Sequence, residues 1–135
     1  MQKNKEEIIM SDVKFLVCEK CGNLVGVINE SGAPMMCCGQ KMDEIIPGSV
    51  DAAAEKHVPV IKVDGNTVTV CVGDVAHPMT EPHHIAWIVL ETEHGFQKKD
   101  LDPTGEPCAV FALADDKAVA AWAYCNLHGL WKQDA

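Results

Sequence analysis

The sequence predicts an all-β protein with two domains, a small metal-binding domain followed by a β-sandwich. Short apolar segments recur along the chain, and polar turns that contain glycine or proline separate them. Four cysteines lie in the first third of the chain, ahead of the chain break Pro47-Gly48-Ser49. We therefore expect domains at 10–47 and 48–135, with residues 1–9 as an N-terminal extension. That extension is compatible with a helical turn, a disordered segment or a natural start at Met10.

Composition and charge narrow the class of protein. The net charge is -9, and all 11 basic residues are lysines. An acidic chain without arginine is poorly suited to binding phosphates, so nucleic acid is excluded as the main partner. No segment approaches 18 uninterrupted apolar residues, and the first ten residues are too charged for a signal peptide. We expect a cytoplasmic protein without a membrane partner.

The first candidate site consists of Cys18, Cys21, Cys37 and Cys38. Seven cysteines in a cytosolic chain favour metal sites over disulfides, and an odd number excludes complete internal pairing. The spacing predicts a four-thiolate site, for which structural zinc is the simplest occupant. Because Cys37 and Cys38 are adjacent, we expect the sulfur tetrahedron to be distorted.

Strands are predicted on both sides of the chain break. In the smaller domain they cover 13–17, 24–28 and 44–46. In the larger domain they cover 58–63, 67–72, 85–90 and 108–113, with polar turns around Gly95, Pro103 and Gly105. The segment Asp64-Gly65-Asn66 predicts a hairpin between two of these strands. Residues 118–124 are ambiguous between helix and strand.

The second candidate site combines four histidines with one cysteine. Cys125 and His128 form a Cys-x-x-His pair near the C-terminus, and His57, His77 and His83 precede them. Such a donor set suits iron and leaves one position of an octahedral ion open. Four neutral imidazoles and one thiolate leave ferrous iron with a net charge of about plus one, which attracts a small anion. Thiolate donation favours electron transfer to a ligand bound opposite.

Three sequence segments carry a resemblance to a known family. The runs EKHVPVI, HPMTEPHHIAWI and YCNLHGLWK resemble, in the same order, the catalytic domain of desulfoferrodoxins, the two-iron superoxide reductases. The resemblance extends from about Phe15 onward, since the N-terminal cysteines resemble the four-sulfur iron site of desulforedoxin. It implies an immunoglobulin-like sandwich in the larger domain and a strand at 118–124.

The resemblance also implies roles for the site residues. It makes His57, His77, His83 and His128 equatorial iron ligands and Cys125 the axial ligand. It makes Glu55 and Lys56 mobile residues beside the open position, where Lys56 would focus an anion that the acidic protein otherwise repels. Each chain would hold two irons, one in the four-cysteine centre.

The implied activity is one-electron reduction of superoxide to hydrogen peroxide. The electron would come from an external donor, rubredoxin or a similar small carrier, and the protein would be a homodimer formed through its small domain. Two alternatives stay open: a pure electron carrier, and a zinc-binding structural module.

Two features depart from the family pattern. His84 stands where the family usually has tryptophan, which bears on whether His83 or His84 binds the iron. Cys71 and Cys108 match no ligand position. Because both lie in predicted apolar strands, we expect them to be buried structural thiols.

Overall fold

A computed structural model describes residues 13–50 and 52–135. They fall into two compact units, an N-terminal unit that ends at Ile46 and a C-terminal unit that begins at Pro47. Nearly all regular structure is β-strand, as predicted. The predicted extension 1–9 and the first residues of the predicted domain 10–47 lie outside the described residues.

The described part of the N-terminal unit contains five short strands. They are β1 (Lys14–Val17), β2 (Leu24–Val27), β3 (Met36–Cys37), β4 (Gln40–Lys41) and β5 (Asp43–Glu44). One sheet has the order β2-β1-β5, and β3 pairs with β4 in a hairpin. Its described buried apolar side chains are Phe15, Cys18 and Met42. A core of this size stabilises a domain weakly, which is why such domains commonly depend on a bound metal.

The C-terminal unit is a sandwich of two antiparallel sheets. Its elements are the short helix α1 (Ala54–His57) and the strands β6 (Pro59–Asp64), β7 (Thr67–Val72), β8 (Ile85–Thr92), β9 (Gly95–Asp100), β10 (Cys108–Ala112), β11 (Ala118–Cys125) and β12 (Gly129–Asp134). The sheet orders are β10-β7-β6 and β12-β11-β8-β9. Seven strands divided three and four are the immunoglobulin-like arrangement.

The alternation of residues along the strands builds the sandwich core. In β7 the valines at 68, 70 and 72 are fully buried, whereas the residues between them are more exposed. They pack with Phe111 of β10 and with buried residues of the opposite sheet, such as Leu90 and Ala121. Burying each large apolar side chain contributes about 1.5–3 kcal/mol, so this shared core is the main stabilising term.

Two strands of the C-terminal unit were not predicted from the sequence, and neither were the two-residue strands β3 and β4 of the N-terminal unit. Strand β9 covers GFQKKD, which reads as a polar turn, but it pairs with β8 along its whole length at the edge of the sheet. Strand β12 pairs with β11 in the same way after the turn at 126–128. An edge strand buries little, so the sequence of β9 carries no strong apolar signal. The ambiguous segment 118–124 is strand, as predicted.

Cys71 and Cys108 correct one prediction. They are not buried thiols but partners in a disulfide, with Cα atoms 4.1 Å apart. Both side chains are half-buried. The two cysteines stand directly opposite each other in the pairing of β7 with β10. Because that pairing joins residues 37 positions apart, the spacing of cysteines along the chain did not reveal it.

The described residues include no helix with the length and apolar character needed to cross a membrane.

Candidate metal centres

Three segments of the C-terminal unit bring the predicted histidine ligands together. His57 is the last residue of α1, and the loop between β7 and β8 carries His77 and His83. Cys125 ends β11, and His128 lies in the tight turn that leads into β12. Antiparallel pairing of β11 with both β8 and β12 holds the last two segments side by side.

The four imidazole rings lie at the corners of a square. Neighbouring ring centroids are 4.6–5.0 Å apart, and neighbouring ring planes are nearly perpendicular, at 78–85°. The order around the square is His57, His77, His83 and His128. The centroids of His57 and His83 are 6.5 Å apart, as expected for opposite corners. The rings therefore surround one central point.

The protons on two of these rings indicate a cation at that point. Nδ1 of His57 donates to the Ala53 carbonyl, and Nδ1 of His77 donates to the Pro78 carbonyl, each at 2.7 Å. A neutral imidazole that donates from Nδ1 presents a lone pair at Nε2. The two Nε2 atoms face each other at 3.2 Å. Two lone pairs at this distance repel each other unless a positive ion lies between them.

The spacing also fits a metal ion. Nitrogen ligands at right angles, with bonds of about 2.1 Å, lie about 3.0 Å apart. His57 Nε2 and His128 Nδ1 are separated by 3.0 Å. His83 Nε2 is buried and has no hydrogen-bond partner among the described residues. A buried polar atom without a partner is costly, and a metal ion at the centre of the square satisfies it.

Cys125 supplies the sulfur donor. It is fully buried, and its Sγ lies 3.8 Å from Nδ1 of His128. The donor atoms of His57, His83, Cys125 and His128 all lie within 4.8 Å of one another, and His77 adjoins this group through His57. The structure thus brings all five predicted ligands together. Four imidazoles and one thiolate fit iron and leave one octahedral position open.

Burial favours the neutral form of three of these imidazoles, His57, His77 and His83. It lowers the pKa of His57 and His83 below the usual value of 6.5, and it lowers the pKa of His77 to about 4. Neighbouring imidazoles and, for His57 and His83, the charge of Lys56 lower these pKa values further. A neutral imidazole has the lone pair that a metal requires.

Asn126 ties two ligand-bearing segments together. Its Oδ1 accepts from the N–H of His84 at 2.9 Å, and its Nδ2 donates to the Pro82 carbonyl at 3.0 Å. Its own N–H donates to the His84 carbonyl at 3.1 Å. The turn that carries Cys125 is therefore held against the loop that carries His83.

Trp131 similarly connects the segments that carry two other predicted ligands, His57 and His128. Its ring stacks on His57, with centroids 4.9 Å apart and planes 30° apart. Its Nε1 donates to the His128 carbonyl at 3.1 Å. Mutating a group that orients a metal ligand typically costs about 10–100-fold in metal affinity or activity.

Glu55 and Lys56 lie on α1 immediately before His57, and both are exposed. The backbone of this turn is bound on both sides to the segment that follows β7. The Glu55 carbonyl accepts from Val75 N–H, and Gly73 N–H donates to the Val58 carbonyl, each at 3.0 Å. The turn is thus fixed while the two charged side chains extend from it.

The structure places His83, not His84, in the square. Nδ1 of His84 lies 3.0 Å from the carbonyl oxygens of both Thr80 and Glu81. His84 is half-buried and caps its own loop. Its contacts are those of a structural residue beside the centre.

The four N-terminal cysteines form a second cluster. Their sulfur atoms all lie within 4.8 Å of one another, with Cys21 to Cys37 at 3.6 Å and Cys37 to Cys38 at 4.0 Å. Four sulfurs bound to a metal at about 2.3 Å in a regular tetrahedron lie about 3.8 Å apart, so the cluster fits such an ion. The predicted distortion of this tetrahedron stays a prediction.

Hydrogen bonds within the cluster give the thiols different pKa values. The backbone N–H of Cys21 is the main group that lowers the pKa of Cys18, to about 7. The neighbouring sulfur of Cys21 is the main group that raises the pKa of Cys38, to about 12. Asn23 contributes donors from its backbone to Cys21 and from Nδ2 to Cys37, at 3.5 and 3.6 Å. When a metal displaces the thiol protons, these donors would stabilise the bound thiolates.

Asn126, Trp131 and Gly73 were not predicted from the sequence as supporting residues. None of the three is of a residue type that typically binds these metals, so residue type does not indicate the role. Only position in the sequence could have indicated the role. Asn126 directly follows Cys125, and Trp131 lies three residues after His128. Neither position reveals a contact with a segment more than 40 residues away.

Comparisons with known proteins point to one family. The family model described as desulfoferrodoxin matches residues 49–134. A desulfoferrodoxin of Nitratidesulfovibrio vulgaris is 48% identical over 118 residues, which cover 87% of this chain and 93% of the relative. A desulfoferrodoxin homolog of Archaeoglobus fulgidus is 46% identical over 115 residues, covering 85% and 91%. The crystal structure of a superoxide reductase from Treponema pallidum has a TM-score of 0.77 and 41% identity, covering 92% of this chain and 100% of that one.

Proposed function

Because this chain belongs to the desulfoferrodoxin family, we propose that it is a superoxide reductase with two iron centres. The observation that carries the proposal is the square of four imidazoles, in which His57 and His77 direct lone pairs toward each other, completed by Cys125. The reaction joins one superoxide, one electron and two protons to give one hydrogen peroxide. When bound, iron supplies a one-electron redox couple and an open ligand position.

The chain's own residues hold and tune this centre. The five donors define the open side of the site, and Asn126 and Trp131 keep them in place. The Cys125 thiolate donates electron density, which favours reduction of the substrate. His57 and His77 are buried, whereas His83 and His128 are half-buried, so solvent can reach the site and deliver the two protons.

We propose that Lys56 attracts superoxide to the open side. The net charge of -9 repels an anion at long range, whereas the Lys56 charge acts on both His57 and His83. A local cation can raise the association rate of an anionic substrate by about tenfold or more at low salt. We expect Lys56→Glu to slow the second-order reaction with superoxide by about tenfold and to flatten its dependence on salt, as measured by pulse radiolysis.

Lys62→Glu is the matched control for this experiment. Lys62 is exposed on β6 and undergoes the same change of charge. A general electrostatic effect would slow both variants equally, and that result would exclude steering by Lys56.

We propose that the Glu55 carboxylate covers the open side when no substrate is present. The proposal is supported by its exposed position two residues before the His57 ligand. Glu55→Gln should shift the optical band of the oxidised protein, whereas Glu81→Gln, at an exposed position in the His83 loop, should leave it unchanged. Identical spectra for wild type and Glu55→Gln would contradict this role.

We propose a rubredoxin-like electron donor and a cytoplasmic location. Each turnover consumes one electron, so a small reduced carrier has to replace it. Five cysteines must remain thiolates to bind metal, and the reducing cytosol preserves them. Under a steady flux of superoxide, reduced rubredoxin should be oxidised in proportion to the amount of this protein. No acceleration over the protein-free rate would exclude rubredoxin as the donor.

We also propose that the protein is a homodimer formed through the N-terminal unit. Ile28 is 89% exposed there, and Met35 and Met36 are also exposed. Several exposed apolar side chains on so small a unit suggest an interface. Light scattering should give twice the chain mass of 14.6 kDa, and Ile28→Glu should reduce it to one chain. A monomeric wild-type protein would contradict the proposal.

Metal content is the first test of the function itself. Two irons per chain, with sulfur-to-iron bands and a new long-wavelength band after ferricyanide oxidation, would support both centres. One iron per chain with the long-wavelength band alone would support the proposed enzyme activity and would indicate that the cysteine site binds zinc. Protein purified anaerobically without iron would refute the proposal.

A further inference from the structure

The disulfide between Cys71 and Cys108 lies outside both metal centres. Val72 N–H donates to the Pro107 carbonyl at 2.8 Å. This bond joins the residue after Cys71 to the residue before Cys108, so the two cysteines form a non-hydrogen-bonded pair. Side chains approach most closely at such pairs. Strand pairing alone therefore holds the two sulfur atoms together, whether or not they are bonded.

The pair is located where a small solute can reach it. In β7 the core-facing residues are Val70 and Val72, so Cys71 between them points to the outer face of the sheet. Cys108 lies opposite it on the same face, next to the buried Ala109. Both cysteines are half-buried, in contrast to the fully buried Cys125.

The pair is also connected to the iron centre through one residue. The Val72 carbonyl accepts from the N–H of His77 at 3.2 Å, while the Val72 N–H binds the strand that carries Cys108. The disulfide thus bridges two strands at the point where β7 anchors a predicted iron ligand. Hydrogen peroxide formed at that centre is released into the surrounding solvent.

We infer that Cys71 and Cys108 form a reversible dithiol–disulfide couple that hydrogen peroxide oxidises; the source of the peroxide rests on the proposed function. One thiolate attacks a peroxide oxygen and displaces hydroxide, which gives a sulfenic acid. The second thiol attacks that sulfur and displaces water as the S–S bond forms. Two thiols and one peroxide yield one disulfide and two waters. Each sulfur loses one electron, and each peroxide oxygen gains one.

The strand pairing makes this couple reversible. Strands β7 and β10 pair at five positions from Cys71/Cys108 to Thr67/Ala112, and the core side of both strands is buried. Opening the disulfide leaves these interactions in place. A dithiol reductant can therefore return the pair to thiols without unfolding the sandwich.

The test uses the iron-loaded full chain under anaerobic conditions. The protein is reduced with dithiothreitol, freed of reductant and treated with one equivalent of hydrogen peroxide. Free thiols are then blocked with a maleimide, and the peptides are mapped by mass. We expect two thiols per chain to disappear, both from a peptide pair that links Cys71 to Cys108. Cys71→Ser should form no such link, and Cys108→Ser provides a second variant in case the first does not fold.

Two outcomes would overturn the inference. If dithiothreitol fails to open the bond in the folded protein, the disulfide is permanent. If both cysteines remain reactive to maleimide after treatment with peroxide, hydrogen peroxide does not oxidise the pair. A second arm supplies superoxide instead of peroxide. Spontaneous dismutation gives one peroxide per two superoxides, whereas the proposed reduction gives one peroxide per superoxide. Linkage by added peroxide, together with only the dismutation yield of peroxide from superoxide, would support the couple and contradict the proposed function, so the two failures are distinguishable.

Discussion

Gly73 is the position at which a single methyl group should disturb the iron centre most directly. Its φ is +89°, and a Cβ built there would lie 2.4 Å from the Val75 carbonyl oxygen. The same Cβ would lie 2.8 and 2.9 Å from the carbonyl oxygens of Lys56 and Glu55. All three are backbone atoms and cannot rotate away. Gly73→Ala must therefore move the α1 turn or the strand end, and with it His57.

Gly65→Ala is the control that isolates this contact. Gly65 also has a positive φ, +59°, but nothing lies within 4 Å of its Cβ position. An alanine in this left-handed region costs about 1–2 kcal/mol. Gly73→Ala adds a steric term of about 1–3 kcal/mol. We expect it to lower the free energy of unfolding by about 2–5 kcal/mol in all, about 2 kcal/mol more than the control does.

The assay compares urea unfolding of the two metal-free variants and the release of iron to a chelator from the loaded proteins. Because the collision involves the turn that ends in His57, Gly73→Ala should release iron at least about tenfold faster than wild type. Gly65→Ala should release it at the wild-type rate. The reasoning would be refuted if both variants unfolded within about 0.5 kcal/mol of each other and Gly73→Ala retained iron normally.

Three further predictions concern the ligand turn and the disulfide. Asn126→Ala removes two side-chain hydrogen bonds and should lower iron affinity by about 10–100-fold in a chelator competition. Leu127 is exposed in the same turn, and Leu127→Ala should leave iron affinity unchanged. An equal loss of affinity in both variants would show that the Asn126 hydrogen bonds do not hold the ligands in place. Cys125→Ser should abolish the thiolate-to-iron band of the oxidised protein, and survival of the band would mean a different axial ligand. Reducing the bond between Cys71 and Cys108, which closes a loop of 37 residues, should destabilise the protein by about 4 kcal/mol in urea unfolding; coincident unfolding curves would disprove this.

Prediction from the sequence succeeded where the signal was local. The hairpin at Gly65 and Asn66 and the strand Thr67–Val72 follow from turn chemistry and alternation, and the structure has both. It was less complete where burial was weak: β9, with its lysines, reads as a turn because an edge strand needs little apolar surface. It was wrong for Cys71 and Cys108, because their partnership depends on the register between β7 and β10.

The sequence by itself determined the chemistry of the two centres, because the donor atoms are fixed by residue type. Four thiols near the N-terminus and four imidazoles with one thiol beyond them limit the metals and reactions that the chain can support. Only the tertiary structure decided how those donors are arranged. The square of rings, the choice of His83 over His84 and the contacts of Asn126, Trp131 and Gly73 all join segments far apart in the chain. Such contacts depend on how the strands pair and the loops pack, and residue type alone does not specify either.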